Sequence, residues 1–253
     1  MASEITCPDP SAIDPQTGQP KTLVLLHGLF GRITNWESTW TYFKDKYRIT
    51  AVDFDLYNPK APYQSVQSLT DLTLRFMDQH QIARCVLFGN SLGGHVVLNL
   101  ALKYPERVAA MVLTGSAGLI ERGYSAVPAN PNLEYLSKRT KEVFYDQSLP
   151  TEKMLEEVHD VLQHNRNKLR LIKLARSSRM LNMLDHLSEI QCPTLLVWGK
   201  QDEITPPEIG TTFANKMPHA KLFFIDKCGH APNIEKPEEL NAASEDFLKE
   251  IGY

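Results

Sequence analysis

Three things are scarce in this chain of 253 residues. No apolar run approaches the ~18 residues that would span a bilayer as a helix, which argues against a membrane-spanning protein. There is no cationic excess: 27 Lys and Arg against 30 Asp and Glu leave a net charge of −3. A weakly acidic surface repels phosphate backbones, so nucleic acid is not an expected partner. Cysteine is also sparse. Cys7, Cys85, Cys192 and Cys228 show no C-x-x-C spacing and read as free thiols in a reducing compartment. The first eight residues, Met1 to Pro8, lack the basic and apolar regions of a secretory signal, so a cytoplasmic location is expected. Hydrophobic content of 42% and charged content of 23% are ordinary for a globular domain, and the length fits one large α/β domain or two small ones.

What is present is an alternation. Pro8, Pro10, Pro15, Gly18 and Pro20 make residues 1–20 a proline-rich segment rather than a buried strand. Thr22 to Leu26 is a continuous apolar run, as a central parallel strand requires. Asn35 to Lys46 then reads as a helix, Arg48 to Val52 as a strand, and Ser65 to His80 as a helix with Val66, Leu69, Leu72, Phe76 and Met77 on one face. Arg84 to Leu87 and Val108 to Leu113 are further buried strands, separated by an apolar helix from His95 to Leu102. Strand, helix, strand, helix implies a mostly parallel, doubly wound sheet with right-handed crossovers. The pattern breaks between about Gly118 and Glu189, where Leu133 to Tyr145, Glu152 to His164 and Lys168 to Leu187 all read as helices. It resumes with strands Thr194 to Trp198 and Lys221 to Ile225 and helices Pro206 to Met217 and Pro237 to Ile251. The expected organisation is an α/β core of residues 21–117 and 190–253, with a helical lid of residues 118–189.

Three residues at strand ends carry the chemistry. Gly89-Asn90-Ser91-Leu92-Gly93 fits G-x-S-x-G between a strand and a helix. Small residues two before and two after let strand and helix approach, leaving the serine hydroxyl exposed at the sheet edge. Asp202 and His230 also follow strands, and in a parallel sheet the loops at the carboxyl ends gather on one edge. A serine hydroxyl needs a base, and the base needs a group that fixes its tautomer. Ser91, His230 and Asp202 supply these roles, in the order Ser, Asp, His. His27-Gly28-Leu29-Phe30-Gly31, a tight loop after the first strand, can aim a backbone N–H at the same spot. Among rivals, His27 reads as a prop for that loop and His95, one turn into the elbow helix, as packing or as support behind the site. Asp53 and Asp55 follow the wrong strand, and Ser116 cannot serve as the acid.

These motifs, with Trp198-Gly199-Lys200-Gln201-Asp202 and Cys228-Gly229-His230, resemble the α/β-hydrolase superfamily over residues 22 to 251. The resemblance implies an α/β-hydrolase fold of six to eight strands, with the helical lid inserted after the sixth strand of the fold. It implies oxyanion donors at the backbone N–H groups of Leu92 and Leu29, with Phe30 and Asn90 beside the substrate. Gly-Asn-Ser-x-Gly-Gly, Cys-Gly-His, Glu235 and Asn241 resemble the carbon–carbon bond hydrolases of ring-fission products more narrowly. Those enzymes have Trp after the histidine, where this chain has Ala231, and a lid arginine that could correspond to Arg166, Arg170, Arg176 or Arg179. The loop Asp53 to Tyr57 lacks the superfamily's usual Asp-x-Arg-Gly-x-Gly, and the N-terminus is short for the usual first two antiparallel strands.

The expectation is a serine hydrolase that needs no cofactor and no metal, cleaving a small-molecule ester through an acyl-enzyme. Its rivals are carbon–carbon hydrolysis and a non-enzymatic small-molecule receptor on the same scaffold. Trp36, Tyr57, Phe144 and Tyr145 are candidates for apolar lining. The expected partner is a small molecule, with no nucleic acid, no membrane and a homodimer left open.

Overall fold

The protein is described from a computed structural model covering residues 13–58, 60–119 and 133–253. The chain runs β1 (Thr22–Leu26), α1 (Glu37–Phe43), β2 (Arg48–Val52), α2 (Val66–Gln79), β3 (Cys85–Asn90), α3 (Leu92–Lys103) and β4 (Val108–Thr114). Three helices follow, α4 (Leu133–Lys141), α5 (Glu152–Gln163) and α6 (Asn165–Met180). Then come β5 (Thr194–Gly199), α7 (Pro207–Lys216), β6 (Ala220–Ile225), α8 (Pro232–Glu235) and α9 (Pro237–Glu250).

The described residues form one six-stranded sheet in the order β2-β1-β3-β4-β5-β6, every neighbouring pair parallel. Two-sided burial explains the unbroken apolar strands. Leu23 and Leu25 face a core that α1 and α9 share through Phe43, Leu240 and Leu248. Val24 and Leu26 face the opposite core, with Leu69 of α2 and Val96, Val97 and Leu100 of α3. Each fully buried side chain of this kind contributes roughly 1.5–3 kcal/mol. The chain leaves β1 for β2 on one side and returns to β3 on the other. The carboxyl ends of β1 and β3 are therefore the crevice where such sheets take ligands.

Some expectations shift. Before β1 the described residues hold an isolated antiparallel bridge, Ile13 to Pro20, in place of the usual first strands; Cys7, Pro8 and Pro10 lie outside the described residues. The helix expected at Asn35 is a 3-10 turn, Ile33–Trp36, leading into the shorter α1. Ser65 caps α2: its hydroxyl accepts from the Ser68 N–H while Ser68 Oγ accepts from the Ser65 N–H. Thr151 caps α5, accepting from the Met154 N–H at 3.2 Å. The helix expected from Lys168 begins earlier and stops at Met180. The segment of α4 to α6 sits between β4 and β5, and residues 120–132 of the expected lid lie outside the described residues.

Candidate active site at the sheet edge

Ser91 stands between β3 and α3 with φ 53° and ψ −116°, a conformation that costs a non-glycine residue of order 1–3 kcal/mol. Its surroundings hold it there. The Ser91 N–H donates to the Thr114 carbonyl at 3.0 Å, and the Ser91 carbonyl accepts from the His95 and Ala117 N–H groups at 3.1 and 3.0 Å. The flanking glycines are required by contact: a Cβ on Gly89 would lie 2.7 Å from the Gly94 backbone, and one on Gly93 would meet the Leu26 carbonyl. Strand and helix thus close on each other as the motif demands.

Asp202 and His230 form a buried pair. The His230 Nδ1 lies 2.9 Å from Asp202 Oδ2 and 3.1 Å from Oδ1, and both residues are less than a tenth exposed. The carboxylate also accepts from the Ile204 and Thr205 N–H groups at 2.9 Å each and from the Thr205 hydroxyl at 2.9 Å. These donors stabilise a charge that burial would otherwise make costly. Thr205 Oγ1 also lies 3.2 Å from His230 Nδ1. It touches both members of the pair, a role its sequence position did not announce. Trp198 fixes Thr205 by donating from Nε1 to its carbonyl at 2.7 Å.

The strand ends are stitched together around this pair. Asn90, beside Ser91, donates from Nδ2 to the Thr114 carbonyl and hydroxyl and to the His230 carbonyl at 3.1 Å. Its carboxamide N–H groups therefore hold the histidine loop. Gly115, at φ 48°, leaves room for His230: a Cβ there would sit 2.9 Å from Nδ1. The His230 N–H donates to the Val143 carbonyl at 2.7 Å. Glu235 accepts from the Gly229 N–H on one oxygen and from the Asp146 N–H on the other, both at 2.6 Å. The stem between α4 and α5 is thereby fastened to the histidine loop, a link with no short-range sequence signature.

Leu29 and Leu92, the expected oxyanion donors, are 6% and 3% exposed. Leu92 opens α3, where a first-turn N–H has no acceptor within the helix. His27 props the loop as expected, and more widely: Nδ1 donates to the Gly28 carbonyl at 2.8 Å, while Nε2 accepts from the Phe54 N–H at 3.1 Å. Those two bonds fix the tautomer and join the loops after β1 and β2. His95 lies wholly buried under the elbow with Nδ1 2.9 Å from Ser178 Oγ of α6. Burial pushes its pKa down to about 4, so it is neutral near pH 7. Burial, with the Glu235 charge as a further cause, raises the Cys228 thiol's pKa. That keeps it protonated and removes it as a rival nucleophile.

The lining candidates separate. Trp36 is 1% exposed and packs edge-on against Phe88 in the core beneath α1 and α9, so it is not lining. A helix-start residue near a site loop had pointed to the pocket, but the adjoining helix turns it under the sheet. Phe30 is 40% exposed and its carbonyl accepts from the Tyr57 hydroxyl at 2.6 Å. The Arg32 guanidinium lies over the Tyr57 ring, 4.3 Å from its centroid. Phe144 is buried and Tyr145 exposed. Of the four candidate arginines, Arg170 is buried, while Arg166, Arg176 and Arg179 are exposed. Arg170 donates to the carbonyls of Leu56, Asn58 and Ala61 and to Asn167 Oδ1. It braces the very loop that lacks the usual arginine and glycines. Among the described residues no cluster of His, Cys, Asp or Glu could hold a metal ion, and no helix is long and apolar enough to cross a membrane.

Residues 23–243 match the sequence profile of the alpha/beta hydrolase family. The chain is 30% identical to the 2-hydroxy-6-oxononadienedioate/2-hydroxy-6-oxononatrienedioate hydrolase of Burkholderia vietnamiensis, over 93% of this chain and 89% of that one. It is 27% identical to the 2-hydroxy-6-oxo-6-phenylhexa-2,4-dienoate hydrolase of Comamonas testosteroni, over 93% and 90%. A crystal structure of MGS-MChE2, an alpha/beta hydrolase enzyme from the metagenome of Mar Chica lagoon sediments, superposes with TM-score 0.76, 30% identity and 93% of each chain covered. With the elbow, the strand order and the matched span in agreement, the chain belongs to the alpha/beta hydrolase family.

Proposed function

We propose that this enzyme cleaves a small carboxylic ester through an acyl-enzyme on Ser91. The observation that carries the reading is the strained Ser91 at the crevice between β1 and β3, tied through Asn90 to a buried His230–Asp202 pair. His230 Nε2 takes the Ser91 hydroxyl proton as Oγ attacks the ester carbonyl. The tetrahedral oxyanion is held by the N–H groups of Leu29 and Leu92, each such donor contributing about 10²–10³ in rate. Collapse expels the alkoxide, which takes the proton from His230 and leaves an ester on Ser91. Water then gives a proton to His230 and attacks the acyl carbon; the second collapse returns that proton to Ser91 and releases the acid. Asp202 holds the Nδ1–H tautomer and stabilises the imidazolium throughout. Helices α4 to α6 act as the lid, closing over the acyl group and limiting water.

Carbon–carbon hydrolysis is the second reading, supported by the names of the relatives above. One observation favours the ester. Ala231 replaces the tryptophan expected after the histidine. The test is a burst assay with p-nitrophenyl acetate and butyrate on the native chain and on Ser91→Ala. A burst near one product per chain, followed by turnover and absent in Ser91→Ala, is the expected result. Turnover of 2-hydroxy-6-oxo-6-phenylhexa-2,4-dienoate with no ester burst would replace it with the second reading. Tight retention of a small molecule with neither turnover would favour a receptor.

A further inference from the structure

Helix α6 presents a face that the reaction does not use. Asn167, Arg170, Leu171, Leu174, Ala175 and Ser178 are buried on one side. The opposite side exposes Arg166, Leu169, Ile172, Lys173, Arg176, Arg179 and Met180. Two features of that side are independent of each other. First, that side carries four cations and no acid in a chain of net charge −3. Among the described residues, Arg166, Lys173, Arg176 and Arg179 form no ion pair; Lys173 reaches only the Gln64 carboxamide at 2.8 Å. Second, apolar exposure is concentrated there. Of nine exposed large hydrophobics among the described residues, four are Leu169 (59%), Ile172 (50%), Met180 (74%) and Leu184 just beyond the helix.

At about 3.6 residues per turn, Leu169, Ile172 and Met180 fall around Arg176 in the middle of the outer face, with Arg166 and Lys173 along one margin and Arg179 along the other. Water solvates cations well and this apolar stripe poorly. A surface that rewards both at once is anionic at the top and apolar just below. We propose that the outer face of α6 adsorbs to an anionic lipid surface, the apolar side chains entering the headgroup boundary while the arginines and lysine reach phosphates. The absence of a spanning helix bears on insertion, not on adsorption of this kind. The neighbouring helix sets the attitude: Glu152, Glu156 and Asp160 form an exposed acidic row on α5, which an anionic surface repels, tilting the hairpin onto α6.

The test is co-sedimentation of the full chain with vesicles of phosphatidylcholine alone and of an equal mixture of phosphatidylcholine and phosphatidylglycerol, at low and physiological salt. Pelleting with the mixed vesicles only, weakened by salt, is expected. The combined Arg166→Gln, Arg176→Gln and Arg179→Gln variant should lose about 100-fold in partitioning, roughly fivefold per cation. Leu169→Ser, Ile172→Ser and Met180→Ser together should lose at least about tenfold. All six side chains are exposed, so both variants should keep the native melting temperature, a control that does not depend on the reaction assigned above. Equal binding to neutral vesicles, or native binding by either variant, would overturn the proposal. So would a salt-sensitive dimer in place of vesicle binding, with the α5 row of one copy on the α6 face of another.

Discussion

The sheet edge and the helices that follow β4 differ in what fixes their side chains. At the edge, Ser91, Asp202 and His230 are all less than a tenth exposed, and backbone amides and carbonyls from β4 and β5 and the loops that follow them hold them in place. In α6 one face is as buried as the core, while the other leaves arginines, Leu169, Ile172 and Met180 to the solvent. The inner face is tied to the rest of the molecule by Arg170, which holds the loop after β2, and by Ser178, which meets His95, while the outer face reaches it through Lys173 and Gln64. The contrast teaches that the same residue type, arginine, is a structural brace at 170 and a free surface cation at 176, six positions on.

The largest test of the edge is Asp202→Asn. It keeps the shape of the pair but permits the wrong histidine tautomer, so ester turnover should fall about 10³–10⁴-fold with the melting temperature nearly unchanged. A loss under tenfold would mean that the pair is structural.

Next comes the seam between edge and helices. His95 titrates at about 4 when folded against ~6.5 unfolded. The unfolded state therefore binds the extra proton, and stability declines as pH falls from about 6.5 to 4, by about 3 kcal/mol in all. His95→Gln should flatten that slope in chemical denaturation measured across this range. An unchanged slope would assign acid sensitivity to other groups.

Within α6, Arg170→Gln should destabilise the chain by about 2 kcal/mol, because it strands buried carbonyls. Arg176→Gln should change stability by less than about 0.5 kcal/mol. Similar urea midpoints for the two would erase the distinction between the faces.

The smallest effect is the finest probe of the pair. Thr205→Val removes one donor from the Asp202 carboxylate without changing volume much. The carboxylate then attracts the His230 proton more strongly, and the acid limb of kcat/KM should move to higher pH. Thr205→Ser should restore the native profile. A native profile in Thr205→Val would reduce the hydroxyl to packing.

The legibility of these two regions in the sequence followed the range of the interactions. The elbow could be read because Gly89, Ser91 and Gly93 act on each other within five residues, and the parallel sheet because strand burial writes unbroken apolar runs. The roles of Arg170 and Thr205 were not read, although a signal existed for the first. Asn167, Arg170, Leu171, Leu174 and Ser178 share one helical face, and a cation on an apolar face is a buried cation. Trp36 was assigned to the pocket because sequence proximity to a site loop does not say which side of the sheet a side chain takes. The contact of Val143 with His230 is backbone to backbone, and no side-chain pattern encodes it.

Glu235 has a consequence for recombination. Because its two oxygens hold Gly229 and Asp146 at once, the histidine loop and residues 143–146 form one mechanical unit although 83 positions separate Asp146 from Gly229. Chimaeras that import the helical segment of another hydrolase wholesale would sever that unit and misplace His230. Those spliced beyond Asp146, leaving Val143 to Asp146 native, would keep His230 in register and change only what stands above it.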